Sequence, residues 1–152
     1  MPLVAVASRA PTRQSGPVPL LPSRTVSIAI ARDPQGVCDF VTDPRNLPRW
    51  APGFARSVDR SADGWIVDTA DGPMPIEFVA RNTLGVADHR VTVAPGVDVL
   101  NHLRVIANGS GSEVMFTLFQ TADTLDDRFD ADVARVEADL QALKRILEAG
   151  EA

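Results

Sequence analysis

Between residues 125 and 148, apolar side chains recur at alternating steps of four and three: Phe129, Val133, Val136, Leu140, Leu143 and Leu147. That spacing puts six large residues on one face of a single long helix. The other faces carry Asp130, Asp132, Arg135, Glu137, Asp139, Gln141, Lys144 and Arg145, the composition of a solvated surface. Upstream, the period changes from helical to two. Residues 25–30 alternate and are rich in β-branched side chains, which predicts a strand. Asp33-Pro34 then supplies a cap and a first-turn proline, so a short helix follows with Val37, Phe40 and Val41 inward. Asp43-Pro44 repeats the signal and predicts a second short helix through Leu47 to Trp50, ended near Pro52.

Six further strands are expected at 54–60, 65–69, 74–81, 87–94, 97–107 and 113–120. The segments between them carry turn chemistry: Asp63-Gly64, Asp71-Gly72-Pro73, Pro95-Gly96 and Asn108-Gly109. Connections this short imply antiparallel pairing, because parallel neighbours need long crossovers. The long helix must lay its apolar stripe on something, and the sheet is the large apolar partner at hand. One helix laid across a curved sheet leaves room for a cavity. A rival use of the same stripe is pairing between chains as a coiled coil, which would make the protein a dimeric interaction module.

The chain has 152 residues, enough for one domain with a single sizeable core. Residues 1–24 are proline-rich without periodicity and are expected to form a flexible leader ahead of a domain at 25–149. A formal charge of −5 leaves no basic face for nucleic acid. The acidity is concentrated at the end, where nine carboxylates from Thr121 onward face four bases. Cys38 is the only cysteine, so no internal disulfide or cysteine-rich zinc site can form, which suits a cytoplasmic protein. No apolar run reaches the roughly 20 residues of a membrane-spanning helix.

Several of these stretches together resemble a known superfamily. The matching residues are Val26-Ser-Ile-Ala-Ile30, Pro34-Gln-Gly-Val-Cys-Asp-Phe-Val-Thr-Asp-Pro44, Leu47-Pro-Arg-Trp-Ala-Pro52, Gly85-Val-Ala-Asp-His89, Arg104-Val105 and Asn108-Gly-Ser-Gly-Ser-Glu-Val-Met-Phe-Thr-Leu118, with the closing helix. The chain resembles the START-like, or SRPBCC, ligand-binding superfamily, which includes polyketide cyclases and lipid-transfer domains, over about residues 25–148. The resemblance implies an α+β helix-grip fold: a seven-stranded antiparallel sheet wrapped around the long C-terminal helix, with two short helices after the first strand and a pocket between sheet and helix.

Candidate chemistry is sparse. If Val91 and Val93 face the helix, alternation puts His89 on the same inner face, and Asn101 joins it with Leu103 and Val105. A pocket histidine can serve as acid, base or hydrogen-bond partner, or it can be a core residue satisfied by backbone. A register slipped by one would exchange His89 and Asn101 for His102 and Arg104. Trp50 falls where the second helix meets the sheet, near the pocket mouth of the superfamily fold. The expected ligand-binding set is Trp50, Trp65, Phe78, His89, Asn101, Phe116, Val133 and Val136, with His89 as the catalytic candidate. The expected ligand is a small apolar or aromatic molecule. The alternatives are a cyclase or dehydratase using His89 as general base, and the dimeric module. Without tyrosine, a nucleophile elbow or a phosphate-cradling loop, other chemistries are not supported. No cofactor is expected, and no metal, since His89 and His102 fall on opposite faces of their strands.

Overall fold

The computed structural model describes residues 19–151. The leader expected over 1–24 lies outside the described residues up to residue 18. Strand β1 (Ser23–Ile30) starts two residues before the expected Thr25, because Ser23 and Arg24 pair with Phe119 and Leu118 of the last strand. Helix α1 (Pro34–Thr42) is capped by Asp33, whose carboxylate accepts the Gly36 N–H at 2.7 Å. A single 3-10 turn (Pro44–Asn46), capped by Asp43, leads into the one-turn helix α2 (Leu47–Trp50). Then come β2 (Ser57–Ser61), β3 (Gly64–Thr69), β4 (Gly72–Phe78), β5 (His89–Ala94), β6 (Val97–Asn108), β7 (Gly111–Phe119) and the long helix α3 (Asp126–Glu148).

The seven strands form one antiparallel sheet in the order β1-β7-β6-β5-β4-β3-β2. Strands β2 to β7 are a meander, and β1 closes onto β7. The fold is the expected helix-grip α+β arrangement. Every residue of the helical stripe, Phe129 through Leu147, is buried. Helix α3 packs on β1, β7 and α2, while α1 packs on β6 and β7. The helices are thus concentrated over the β1–β7–β6 half of the sheet. The end of α3 is tied back to the chain leaving β1: the Glu148 carboxylate accepts the Ala31 N–H, and Lys144 Nζ donates to the Ala29 carbonyl.

Several predicted boundaries are corrected. Residues 54 and 55 are not strand: Phe54 and Ala55 donate their N–H groups to the Ala51 carbonyl and fold into a buried turn after α2, so β2 starts only at Ser57. Strand β4 ends at Phe78 rather than at 81, and β5 begins at His89 rather than at 87. Between them the chain leaves the β4–β5 ladder and docks on β6 instead, with Ala87 N–H to the Leu103 carbonyl and Val105 N–H to the Gly85 carbonyl. Gly85 makes that approach possible. Its φ is +72°, and an added Cβ would lie 1.9 Å from the Val105 carbonyl oxygen.

One sequence expectation fails on α3. Asp132 and Asp139 are buried, not solvated. Asp139 lies under the turn at Gly53, and Asp132 is paired with Arg128 and Arg135 of its own helix, so the covered arc is wider than the stripe alone.

Candidate ligand-binding site

The strand register decides which polar residues face inward. Phe78 of β4 pairs with His89 of β5, and His89 pairs with Asn101 of β6. The adjacent rung is Trp65, Ile76, Val91 and Val99. Burial alternates along β6 with Val99, Asn101, Leu103 and Val105 inward and His102 and Arg104 half-buried on the opposite face. His89 and Asn101 therefore share the concave side with the core, as directly opposed cross-strand neighbours.

Both are almost completely enclosed, His89 at 1% and Asn101 at 3% exposure. The His89 ring stacks on Phe78 at 4.7 Å between centroids and meets Phe116 edge-on at 6.3 Å. His89 Nδ1 lies 3.3 Å from the Ala87 carbonyl oxygen. A carbonyl only accepts, so Nδ1 carries the proton and Nε2 presents its lone pair. Burial pushes the imidazole pKa down to about 4, so the ring is neutral at physiological pH.

Among the described residues, three buried side-chain polar atoms have no hydrogen-bond partner: His89 Nε2, Asn101 Nδ2 and Trp50 Nε1. A buried polar group left unpaired costs roughly 1–3 kcal/mol, so folded proteins keep few of them. Here two occupy adjacent positions on one rung of the sheet.

A cleft of about 600 Å³ opens beside this region, at the half of the sheet that α1 and α3 leave less covered; none of the three unpartnered residues borders it, whereas His89 borders a smaller hollow of about 220 Å³ together with Phe78. The cleft is bordered by Thr42 at the end of α1 and Pro44 just after it, by the β2–β3 hairpin including Trp65, and by Ile76 and Phe78 of β4. Glu77, Arg90 and Asp98 add charge to its rim. Phe78 is half-buried, touching the cleft on one side and the His89 ring on the other. Trp65 is half-buried too, with the Arg60 guanidinium 5.3 Å from its ring centroid. A second hollow of about 650 Å³ lies at the far edge of the sheet between β1 and α3, bordered by Val133. None of the three unpartnered polar residues borders it.

The remaining candidates fall as follows. Phe116, Val133 and Val136 are buried between sheet and α3. Trp50 is buried where α2 meets α3 and β2, and it does not border the cleft. His102 and Arg104 belong to a polar cluster on the outer face that the sequence reading did not identify. Its centre is Asp88, whose carboxylate accepts the Leu103 N–H at 2.9 Å and pairs with Arg104 and, at 3.6 Å, His102. Cys38 is buried, its thiol directed at the Val86 carbonyl, and burial raises its pKa, which keeps it a thiol. Asp139, also unanticipated, has its carboxyl pKa pushed up to about 7 by burial against the opposing field of Arg135. A usable signal for it was present: Asp139 is three residues after Val136 and four before Leu143, which sets it beside the stripe.

A curved antiparallel sheet gripping one long helix, with a neutral imidazole and an amide on its concave side, defines a START-like ligand-binding fold. The chain belongs to the family described as polyketide cyclase / dehydrase and lipid transport, which matches residues 22–149. No curated protein matches it. Among solved structures it is similar to the protein XoxI from Bacillus cereus, at 19% identity and a TM-score of 0.66, covering 86% of this chain and 98% of that one. It is also similar to the Aha1 dimer from Colwellia psychrerythraea, at 16% identity and 0.57, covering 87% and 100%. A third likeness is DynU16, a protein of the dynemicin biosynthetic locus, at 17% identity and 0.60, covering 84% of this chain and 48% of that one. At these identities the likeness is one of fold. No helix among the described residues is long and apolar enough to cross a membrane.

Proposed function

We propose that this protein binds a small, largely apolar molecule on the concave side of its sheet, with the cleft at Trp65 and Phe78 as the entrance and His89 and Asn101 as the polar contacts. The observation that carries the reading is the pair of buried, unpartnered nitrogen atoms on neighbouring strands. A bound molecule would restore the hydrogen bonds they lack. The family's description, which joins cyclases with lipid transport, supports a ligand-binding role without choosing between carriage and catalysis.

A catalytic version would use His89 Nε2 as a general base. A histidine held at a pKa of about 4 is available as the free base but is a weak one, and among the described residues no buried lysine, arginine or second histidine assists it. Binding is therefore the better-supported reading. Native mass spectrometry of protein purified from its own host tests it, because a tight ligand should copurify and be released on denaturation. Titration with a panel of polycyclic and aliphatic compounds, read through the fluorescence of Trp50 and Trp65, should show saturable binding for at least one class. Failure of both measurements would remove the proposal.

A further inference from the structure

The two unpartnered atoms are of opposite kinds, and their pairing restricts what can occupy the site. His89 Nε2 is an acceptor, because Nδ1 keeps the proton against the Ala87 carbonyl. Asn101 Nδ2 is a donor. The two residues are direct partners across β5 and β6, so one small group can reach both. We infer that the ligand presents a neutral hydroxyl to this pair, as an alcohol, phenol or enol, with its O–H donating to His89 Nε2 and its oxygen accepting from Asn101 Nδ2. This rests on the binding reading above and narrows it to a chemical class.

The competing groups each leave one atom unanswered. A ketone or ester carbonyl accepts from Asn101 but offers nothing to the imidazole. An ammonium donates to His89 but cannot accept from the amide. A carboxylate sets its charge against the imidazole lone pair in a region where, among the described residues, no lysine or arginine is buried to neutralise it. The histidine does not answer by taking a proton near neutral pH, because burial holds its pKa far below. The site thus discriminates against fatty acids and other anionic amphiphiles of the same hydrocarbon bulk. Phe78, stacked on the His89 ring and facing the cleft on its other side, is the side chain a ligand must displace or slide past.

The test uses three probes that share one ring system: 1-naphthol, 1-naphthoate and naphthalene. Binding to the full chain at pH 7.5 is measured by calorimetry and by tryptophan quenching. We expect naphthol to bind about tenfold more tightly than naphthalene, the worth of one or two net hydrogen bonds, and naphthoate to bind more weakly than either. His89→Phe and Asn101→Leu should each remove the preference, bringing the ratio of naphthol to naphthalene affinity from about ten to about one, whatever the change in either affinity alone. Two results overturn the inference but leave the binding reading standing: equal affinity for all three probes in the unaltered protein, or a preference for naphthoate. Persistence of the naphthol preference in both variants overturns it too, since the hydroxyl would then be read elsewhere. Absence of binding by any probe at millimolar concentration overturns the inference, while the binding reading is decided separately by native mass spectrometry and the wider ligand panel.

Discussion

Replacing Asp139 by asparagine should stabilise the protein, and the gain should grow with pH. Asp139 is 6% exposed on α3, beneath the turn at Gly53, where an added Cβ would come within 3.9 Å of its Oδ1. The charge that acts on it is Arg135 of its own helix, which also pairs with Asp132 at 3.2 Å. Burial raises the carboxyl from 3.8 to about 7. For an acid shifted upward, the native state keeps its proton while the unfolded chain releases it. Stability therefore falls as pH rises from about 4 to about 7, and the full penalty applies above that. At 1.36 kcal/mol per unit, the shift corresponds to roughly 4 kcal/mol at pH 8 and to roughly 2 kcal/mol at pH 5, both upper bounds because water and side chains relax around the ion. Asparagine has the same shape and no charge, so it removes the pH-dependent part. In urea or thermal unfolding, Asp139→Asn should exceed the unaltered protein by about 2–4 kcal/mol at pH 8, and by about 2 kcal/mol less than that at pH 5. For a chain of this size the difference between the two pH values corresponds to a change in Tm of about 4–8 °C. An equal effect at both pH values would refute the reasoning, as would a loss of stability at pH 8.

Three further outcomes follow from the same structure. Gly85→Ala should lower stability by more than about 2 kcal/mol in denaturant unfolding, because the added methyl meets the Val105 carbonyl and the backbone sits at φ +72°. Leu143→Ala, at a fully buried position of the α3 stripe, should cost about 2–5 kcal/mol by the same measurement, and a value below 1 would mean the helix is not gripped by the sheet. Phe78→Ala should uncover the His89 ring, so that NMR titration finds the imidazole pKa moved up from about 4 toward the ordinary histidine range; an unmoved pKa would show that Phe78 does not keep water out.

The long helix was legible because its signal is local and redundant. Six apolar residues at helical spacing can be satisfied only by burying one face, whatever lies opposite. The strands were legible for the same reason, and their short turns determined the antiparallel meander. Errors appeared where tertiary contacts override local preference. Phe54 and Ala55 read as strand by composition, but the turn after α2 buries them. Residues 79–81 and 87–88 read as the ends of two strands, but beyond the Val79–Asp88 hydrogen bond the chain leaves the β4–β5 ladder and residues 85–87 dock on β6, helped by a glycine whose role depends on a carbonyl 20 residues away in sequence. Asp132 and Asp139 read as surface by their charge and are buried; for Asp139 the cover includes the turn at Gly53, whose position no periodicity reveals.

The sequence by itself determined the order of elements, the face of each that must be buried, and through alternation which residues move together: His89 with Val91, and Asn101 with Leu103. Only the tertiary structure decided that these two sets lie on the same rung and turn inward together, because strand pairing is a relation between distant segments and a slip of one residue would reverse it. It also decided that their nitrogen atoms lack partners, since hydrogen-bond satisfaction is a property of the assembled interior and not of any segment.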